Sequence, residues 1–119
     1  MPFFDPAARL EDILAAIRDI EAFTAGQSFD HYMAEPMMRR AVERSVEIVP
    51  EASRHVPDDL KARHPQIPWR RIADIGNVLR HGYKVVDDAE MWDIVVRDLA
   101  PLKAATEQML NDLGSKGAI

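Results

Sequence analysis

WRRIADIGNVLRHGY, residues 69–83, combines a helical apolar pattern with polar residues that gather towards its end. Ile72, Ile75 and Leu79 recur at the spacing of one helix face, which predicts an amphipathic helix with that face in a core. Gly82 is expected to end the helix, because glycine readily adopts the left-handed conformation common at helix C-termini. The stretch therefore predicts a helix that presents polar side chains at its C-terminal end.

Apolar patterns on both sides of this stretch predict three further long helices. The first starts at Asp5-Pro6 and ends at Gly26, and the next runs from Pro36 to about His55. The last starts at Asp87, whose side chain is expected to cap it. Their apolar positions are Leu10, Ile13, Leu14, Ile17, Ile20 and Phe23; Met37, Ala41, Val42, Val46, Val49 and Ala52; and Met91, Ile94, Val95, Leu99, Leu102, Ala105, Met109 and Leu113.

The connections between these helices are marked by prolines and polar residues. Residues 28–32 predict a short helical turn, and residues 57–68 predict a connector with one turn at 58–61. A proline inside a helix removes a backbone hydrogen bond. We therefore expect Pro50 to bend or locally break its helix, and Pro101 to kink or split the last one.

The fold class follows from these elements. No stretch alternates apolar and polar residues between turn signals, so no strand is predicted. Four amphipathic helices with short connections predict an all-α, four- to five-helix antiparallel bundle. Residues 1–113 are expected to form a single domain, and residues 114–119 a flexible C-terminal tail.

Composition excludes several classes of site. The 119 residues include no cysteine, so disulfides and cysteine zinc sites are excluded. The four histidines lack metal-ligand spacing, and no glycine-rich phosphate loop is present, so neither a metal nor another cofactor is expected. No apolar run reaches the roughly 18 residues of a membrane span. We expect a cytoplasmic protein that does not enter a membrane.

Charge is distributed unevenly along the chain. The net charge is −5, yet residues 61–84 contain six basic residues and one acid. The rest of the chain contains nine basic and nineteen acidic residues. This pattern fits either a mixed solvated surface or a local phosphate-attracting patch on an acidic protein.

The polar residues at the end of the 69–83 helix could perform acid–base chemistry. At about 100° per residue, Asp74, Asn77, Arg80 and His81 fall within roughly one third of the helix circumference. A neutral imidazole can accept a proton from a ribose 2′-hydroxyl and return it to a leaving oxygen, and a guanidinium can bind the phosphate. These groups suit a metal-independent ribonuclease. In the simpler alternative, they interact with the helix dipole and with solvent.

The motif Asn77-Val-Leu-Arg-His81-Gly-Tyr83 lies between Ile67-Pro68-Trp69 and Trp92, and with them it resembles the HepT-like branch of the HEPN superfamily. The resemblance extends over nearly the whole chain. It implies an all-α homodimer that acts as a ribonuclease toxin on RNA. It also implies a partner, a minimal nucleotidyltransferase antitoxin that adenylylates the motif tyrosine. The two tryptophans are expected to be packing anchors.

The family motif is an arginine, four residues, a histidine, one residue and a tyrosine. His81 and Tyr83 match it, but Gly76 stands where the arginine is expected. The resemblance implies His81 as acid and base, Arg80 as substitute phosphate ligand, Asn77 as orienting residue and Tyr83 as AMP acceptor. The expected RNA phosphate contacts are Arg70, Arg71 and Lys84. The missing arginine leaves an alternative, a catalytically inactive dimeric module that binds a nucleotidyltransferase.

Overall fold

The computed structural model describes the backbone of residues 6–80 and 87–117, and the side chains of residues 6–74 and 87–114. These residues form seven α-helices and no strand, which confirms the all-α prediction. The helices are α1 (Pro6–Thr24), α2 (Phe29–Ala34), α3 (Pro36–Ser53), α4 (Asp58–Ala62), α5 (Trp69–Arg80), α6 (Asp88–Asp93) and α7 (Leu99–Gly117). The expected cap at Asp5 and helix end at Gly82 lie outside the described residues.

Helices α1, α3, α5 and α7 pack around one apolar core. Ile13, Ile17 and Ile20 of α1 are 0 % exposed, as are Val42 of α3 and Met109 of α7. Burying each such side chain stabilises the fold by about 1.5–3 kcal/mol relative to exposure. The apolar stripes therefore identify most of the core correctly.

Two residues that the sequence places in the core are exposed in the structure. Phe23 is 41 % exposed and Met37 is 85 % exposed. Helical geometry explains both cases at about 100° per residue: Met37 lies roughly 140° from the buried Val42, and Phe23 roughly 120° from Ile17. An apolar residue that extends a stripe by one more step can thus lie well away from the core.

The short connections agree with their sequence signals. Ser28 caps α2, and its side-chain oxygen accepts a hydrogen bond of 3.1 Å from the backbone N–H of His31. Gly26, after α1, has the left-handed φ of 72° that favours glycine. Helix α4 occupies the predicted turn of the proline-rich connector. Helix α3 continues through the buried Pro50 and ends at Ser53, so this proline does not break it.

The last helix contains a π-helical turn shortly before Pro101, where the sequence predicts a kink or a split. Between α6 and α7 lies a π-helical turn, Ile94–Asp98. Pro101 has no N–H to donate to the carbonyl of Arg97, its partner in a regular α-helix, so the α-helical bonding pattern cannot run through this point unchanged.

Helix α7 continues to Gly117, so the backbone of residues 114–117 is helical. Within the described ranges, no helix is long and apolar enough to cross a membrane.

Candidate functional site

Helix α5 is fixed at its beginning. The indole Nε1 of Trp69 donates hydrogen bonds to the carbonyls of Lys61 in α4 (3.2 Å) and of His64 just after α4 (3.1 Å). Ile72, one turn later, is only 5 % exposed and belongs to the core. Both contacts fix the rotation of α5, and Trp69 is a packing anchor as expected.

Two predicted site residues can be located on α5 relative to its exposed residues. Arg70 and Ala73 are exposed. Positions 77 and 80 follow them by seven residues, and seven helical residues return to within about 20° of the same direction. Positions 77 and 80 of the helix backbone thus lie on the same side as Arg70 and Ala73, near the end of α5. His81, Tyr83 and Lys84 lie outside the described residues.

Position 76 lies between this outer face and the core. Gly76 follows the buried Ile72 by four residues, which is a rotation of about 40°. Helix α5 continues through Gly76 to Arg80, so the glycine does not interrupt it. Arg80 lies one turn beyond, rotated by about another 40°.

Arg71, a predicted phosphate contact, is engaged within the protein. Its Nε donates a 2.8 Å hydrogen bond to Asp98, and Nη2 lies 3.5 Å from Asp93. The hydrogen bond to Asp98 favours the charged guanidinium and raises the pKa of Arg71. The arginine therefore joins α5 to α6 and the π turn, whereas Arg70 makes no ion pair with any described residue.

Helix α6 begins with a side-chain cap. The carboxylate of Asp87 accepts a 3.1 Å hydrogen bond from the backbone N–H of Glu90, which confirms the predicted cap of α6. Trp92 on this helix packs against Tyr32 of α2, with 5.0 Å between ring centroids. The second tryptophan is thus also a packing anchor, here between α6 and α2.

Arg39 connects this helix to α2 and α3. Its guanidinium donates to the backbone carbonyls of Met33 and Tyr32, the latter at 3.4 Å. Its Nε lies 3.9 Å from the carboxylate of Asp88, the first residue of α6. Both side chains of this ion pair are about three-quarters buried, with exposures of 23 % and 25 %.

Two further titratable groups surround this ion pair. Tyr32 is 0 % exposed, and its hydroxyl has no hydrogen-bond partner among the described residues. Burial, and then the charges of Asp88 and Glu43, raise the pKa of the Tyr32 hydroxyl. Burial and the nearby Asp88 likewise raise the pKa of the Glu43 carboxyl. We refer to Tyr32, Arg39, Glu43 and Asp88 as the Arg39 cluster.

The Arg39 cluster cannot be recognised from the sequence. Arg39 and Glu43 lie in a run of alternating charges, which is typical of a solvated helix face, yet both are half-buried. The capping box at Asp87 does predict where α6 begins. Local spacing does not show, however, which residue of another helix contacts the start of α6.

A cleft of about 320 Å³ lies elsewhere, between the start of α1 and the end of α3. Its lining includes Arg9, Arg44 and His55. Arg39 is near the start of α3, so this cleft and the Arg39 cluster are separated along the same helix. The described residues contain no group of three or more histidine, aspartate or glutamate side chains arranged to hold a metal ion.

Comparison with known proteins relates the chain to ribonucleases. The family model for HepT-like, described as "Ribonuclease HepT-like", matches residues 13–109. A Thermococcus cleftensis protein named "Probable ribonuclease HepT" is 40 % identical over 84 % of this chain and 91 % of its own length. A Methanocaldococcus jannaschii protein named as a candidate RNase is 33 % identical over 95 % of this chain and 93 % of its own. No solved structure matches the chain.

Proposed function

Because the chain belongs to the HepT-like ribonuclease family, we propose that it is a metal-independent endoribonuclease and the toxin of a toxin–antitoxin pair. The family match carries this proposal, since the matched residues 13–109 include the motif of residues 77–83. Helix geometry supports it, because positions 77 and 80 lie on the same side of α5 as the exposed Arg70 and Ala73.

In the proposed reaction, His81 is both base and acid. Its neutral imidazole accepts the proton of a ribose 2′-hydroxyl, and the 2′-oxygen attacks the adjacent phosphorus. The bond from phosphorus to the 5′-oxygen breaks, and His81 returns the proton to that oxygen. The products are a 2′,3′-cyclic phosphate and a 5′-hydroxyl. Arg80 stabilises the charge on the phosphate oxygens, and Asn77 orients the reacting groups.

Basic residues near this motif are proposed to bind the RNA backbone. Arg70 is exposed and unpaired among the described residues, so its charge is available to a phosphate. Lys84 follows the motif in the sequence and is proposed for the same role. Arg71 must exchange its bonds to Asp93 and Asp98 before it can contribute fully. We therefore expect Arg70 to matter more than Arg71 for RNA affinity.

The proposed partners are a second copy of the chain and a minimal nucleotidyltransferase antitoxin. The antitoxin would catalyse attack of the Tyr83 hydroxyl on the α-phosphorus of ATP, which joins AMP to the tyrosine and releases pyrophosphate. The added phosphate places negative charge two residues from His81 and competes with RNA for Arg80. This modification would stop cleavage without unfolding the protein.

The activity can be tested with purified protein free of any partner. We expect it to cleave RNA in the presence of EDTA, to release 2′,3′-cyclic phosphate ends, and to leave 2′-deoxy substrates intact. His81→Ala should abolish cleavage, whereas His55→Ala, which replaces an exposed histidine beyond the end of α3, should retain it. Intact RNA after incubation with the folded wild-type protein would refute the proposal.

Gly76 favours one alternative, an inactive dimeric module that binds a nucleotidyltransferase. Gly76→Arg restores the arginine of the motif. This variant distinguishes a ribonuclease with an imperfect site from an inactive binding module. If Arg80 substitutes imperfectly for that arginine, the variant should cleave RNA faster than the wild type, and Gly76→Ala should not. If the wild-type chain is an inactive module, it binds its partner and cleaves no RNA at any concentration.

A further inference from the structure

Helix α2 and the beginning of α3 expose large apolar side chains. Phe29 and Met33 are 36 % and 41 % exposed, and they share one side of α2 because they are four positions apart. Met37, in the first turn of α3, is 85 % exposed. The half-buried Trp92 of α6 continues this surface, with 6.4 Å between its ring centroid and that of Phe29. We refer to Phe29, Met33, Met37 and Trp92 as the α2 patch.

We propose that the α2 patch binds a short, positively charged, amphipathic segment of another protein. Apolar surface with a polar rim is typical of protein-binding sites. Aromatic residues and methionine are enriched at the centre of such sites, and the flexible methionine side chain adapts to its partner. All four residues of the patch belong to these types. The inference does not depend on RNA cleavage.

The rim of the patch is acidic, which determines the charge of the partner. Residues 28–38 include two acids and residues 87–93 include four, and neither stretch contains a lysine or arginine. Four of these carboxylates belong to exposed residues: Asp30, Glu35, Asp87 and Glu90. None of the four makes an ion pair with a lysine or arginine among the described residues, and Glu35 lies 3.8 Å from His31. A segment that carries lysine or arginine complements this rim.

Nearby cations do not reverse the charge of the rim. Arg39 pairs with Asp88 at 3.9 Å, and Arg97 pairs with Asp93 at 2.9 Å. Both arginines therefore neutralise acids other than the four exposed carboxylates. Arg40 is exposed at the start of α3, where its charge acts on a carboxyl of the same helix. One such cation leaves the rim negative.

Two other occupants fit the α2 patch less well. RNA phosphates would face the acidic rim, and the basic residues of this chain are concentrated in residues 61–84. A second copy in a two-fold dimer would place the acidic rim against the same rim of its partner. Four side chains are also few compared with the roughly 20–30 residues that each partner contributes to a standard interface. The patch therefore suits a short segment.

The fold holds the patch in place. Ser28 caps the first turn of α2, and the guanidinium of Arg39 donates hydrogen bonds to the carbonyls of Tyr32 and Met33 at its end. Tyr32 is buried and packs against Trp92, with 5.0 Å between ring centroids. A surface that is already ordered loses little conformational entropy when a partner binds.

The test selects a phage-displayed library of random short peptides on the immobilised full chain. We expect the enriched peptides to combine leucine or aromatic residues with lysine or arginine. Met33→Glu should weaken binding of the synthesised peptides at least about tenfold, because it places a charge at the centre of the contact. Met33→Leu, which keeps an apolar side chain of similar volume, should bind within about twofold of the wild type. Met37→Glu, at the more exposed position, repeats the test if Met33→Glu does not fold.

A matched pair of variants separates binding at the patch from attraction to the net charge. Glu35→Gln and Glu107→Gln each remove one negative charge, from side chains that are 50 % and 48 % exposed. Glu107 lies on α7 beside Arg18 of α1. We expect Glu35→Gln to weaken peptide binding about two- to fivefold and Glu107→Gln to leave it unchanged.

Methyl NMR of the methionines locates the bound peptide. The peptide should shift the methyl signals of Met33 and Met37 and leave that of Met109, which is 0 % exposed in the core, unchanged. The inference is overturned by a selection without binding peptides, by enriched peptides that are acidic, or by equal binding to wild type and Met33→Glu. Shifts of the same two methyl signals on addition of RNA would assign the patch to RNA instead. Loss of dimer mass in Met33→Glu by light scattering would assign it to contacts between copies of the chain.

Discussion

Two buried hydroxyl groups show how the interior differs between α7 and the Arg39 cluster. Thr106 of α7 is 0 % exposed, and its hydroxyl donates a 2.7 Å hydrogen bond to the carbonyl of Leu102. Tyr32 is also 0 % exposed, but its hydroxyl has no partner among the described residues and lies near two carboxylates. A buried polar group without a partner costs about 1–3 kcal/mol. The two regions thus differ in how completely their buried hydroxyl groups are satisfied by the described residues.

The largest expected effect lies in the apolar core. Ile17→Ala removes a fully buried side chain and leaves a cavity between α1 and its neighbours, so it should lower the free energy of unfolding by about 2–5 kcal/mol. Chemical denaturation measures this change. Val96→Ala, at a position 56 % exposed, should change stability by less than about 0.5 kcal/mol. Similar losses at the two positions would contradict the assignment of the core.

Tyr32→Phe should have a smaller effect of opposite sign. It removes the unpaired hydroxyl, so we expect about 1 kcal/mol of stabilisation, whereas Thr106→Val removes a paired hydroxyl and should cost about 1 kcal/mol. Chemical denaturation of the two variants compares the free energy of unfolding contributed by the hydroxyl in the Arg39 cluster with that of the hydroxyl in α7. Destabilisation by Tyr32→Phe would show that its hydroxyl has a favourable partner after all.

The same variant has a signature at alkaline pH. Because the pKa of Tyr32 is raised in the folded state, the unfolded chain releases this proton above pH ~10 while the folded chain keeps it. The contribution of Tyr32 to stability is therefore complete below that pH and is lost as the pH rises. Tyr32→Phe should show a weaker alkaline loss of stability than the wild type.

Glu43→Gln should have the smallest effect, and the effect should depend on pH. The folded-state pKa of Glu43 is raised, so its contribution to stability is present below the unfolded pKa of about 4.3 and is lost as the pH rises. At pH 7 the variant should melt at a higher temperature than the wild type, and at pH 4 the difference should shrink. Glu21→Gln, at an exposed ion pair, is the control and should not raise the melting temperature.

Most of the fold could be predicted because its signals are local. The spacing of Ile13, Ile17 and Ile20 identifies a core face, and Asp87 with Glu90 identifies the start of α6. Helix geometry and capping depend on residues three or four positions apart, which a single sequence displays. Phe23 and Met37 were misassigned because apolar character alone does not fix the direction of a side chain on its helix.

The surroundings of the site could be predicted only in part. The motif residues and the exposed positions on α5 follow from local spacing. Arg39 and Asp88, in contrast, are 49 positions apart in the sequence and meet only because α2, α3 and α6 pack at one place. The partners of Arg71 could not be predicted either, because Asp93 and Asp98 lie on elements whose placement the sequence does not specify.

The π turn also has a consequence for the alignment of buried residues across the last two helices. Met91 and Ile94 are three positions apart, as are Leu99 and Leu102, but Ile94 and Leu99 are five apart. In a continuous α-helix a step of five residues would rotate Leu99 about 140° away from Ile94. The wider turn takes up the extra residue, so both pairs reach the same core. The π turn therefore shifts the phase between α6 and α7, so that the buried residues on both sides of it face one core.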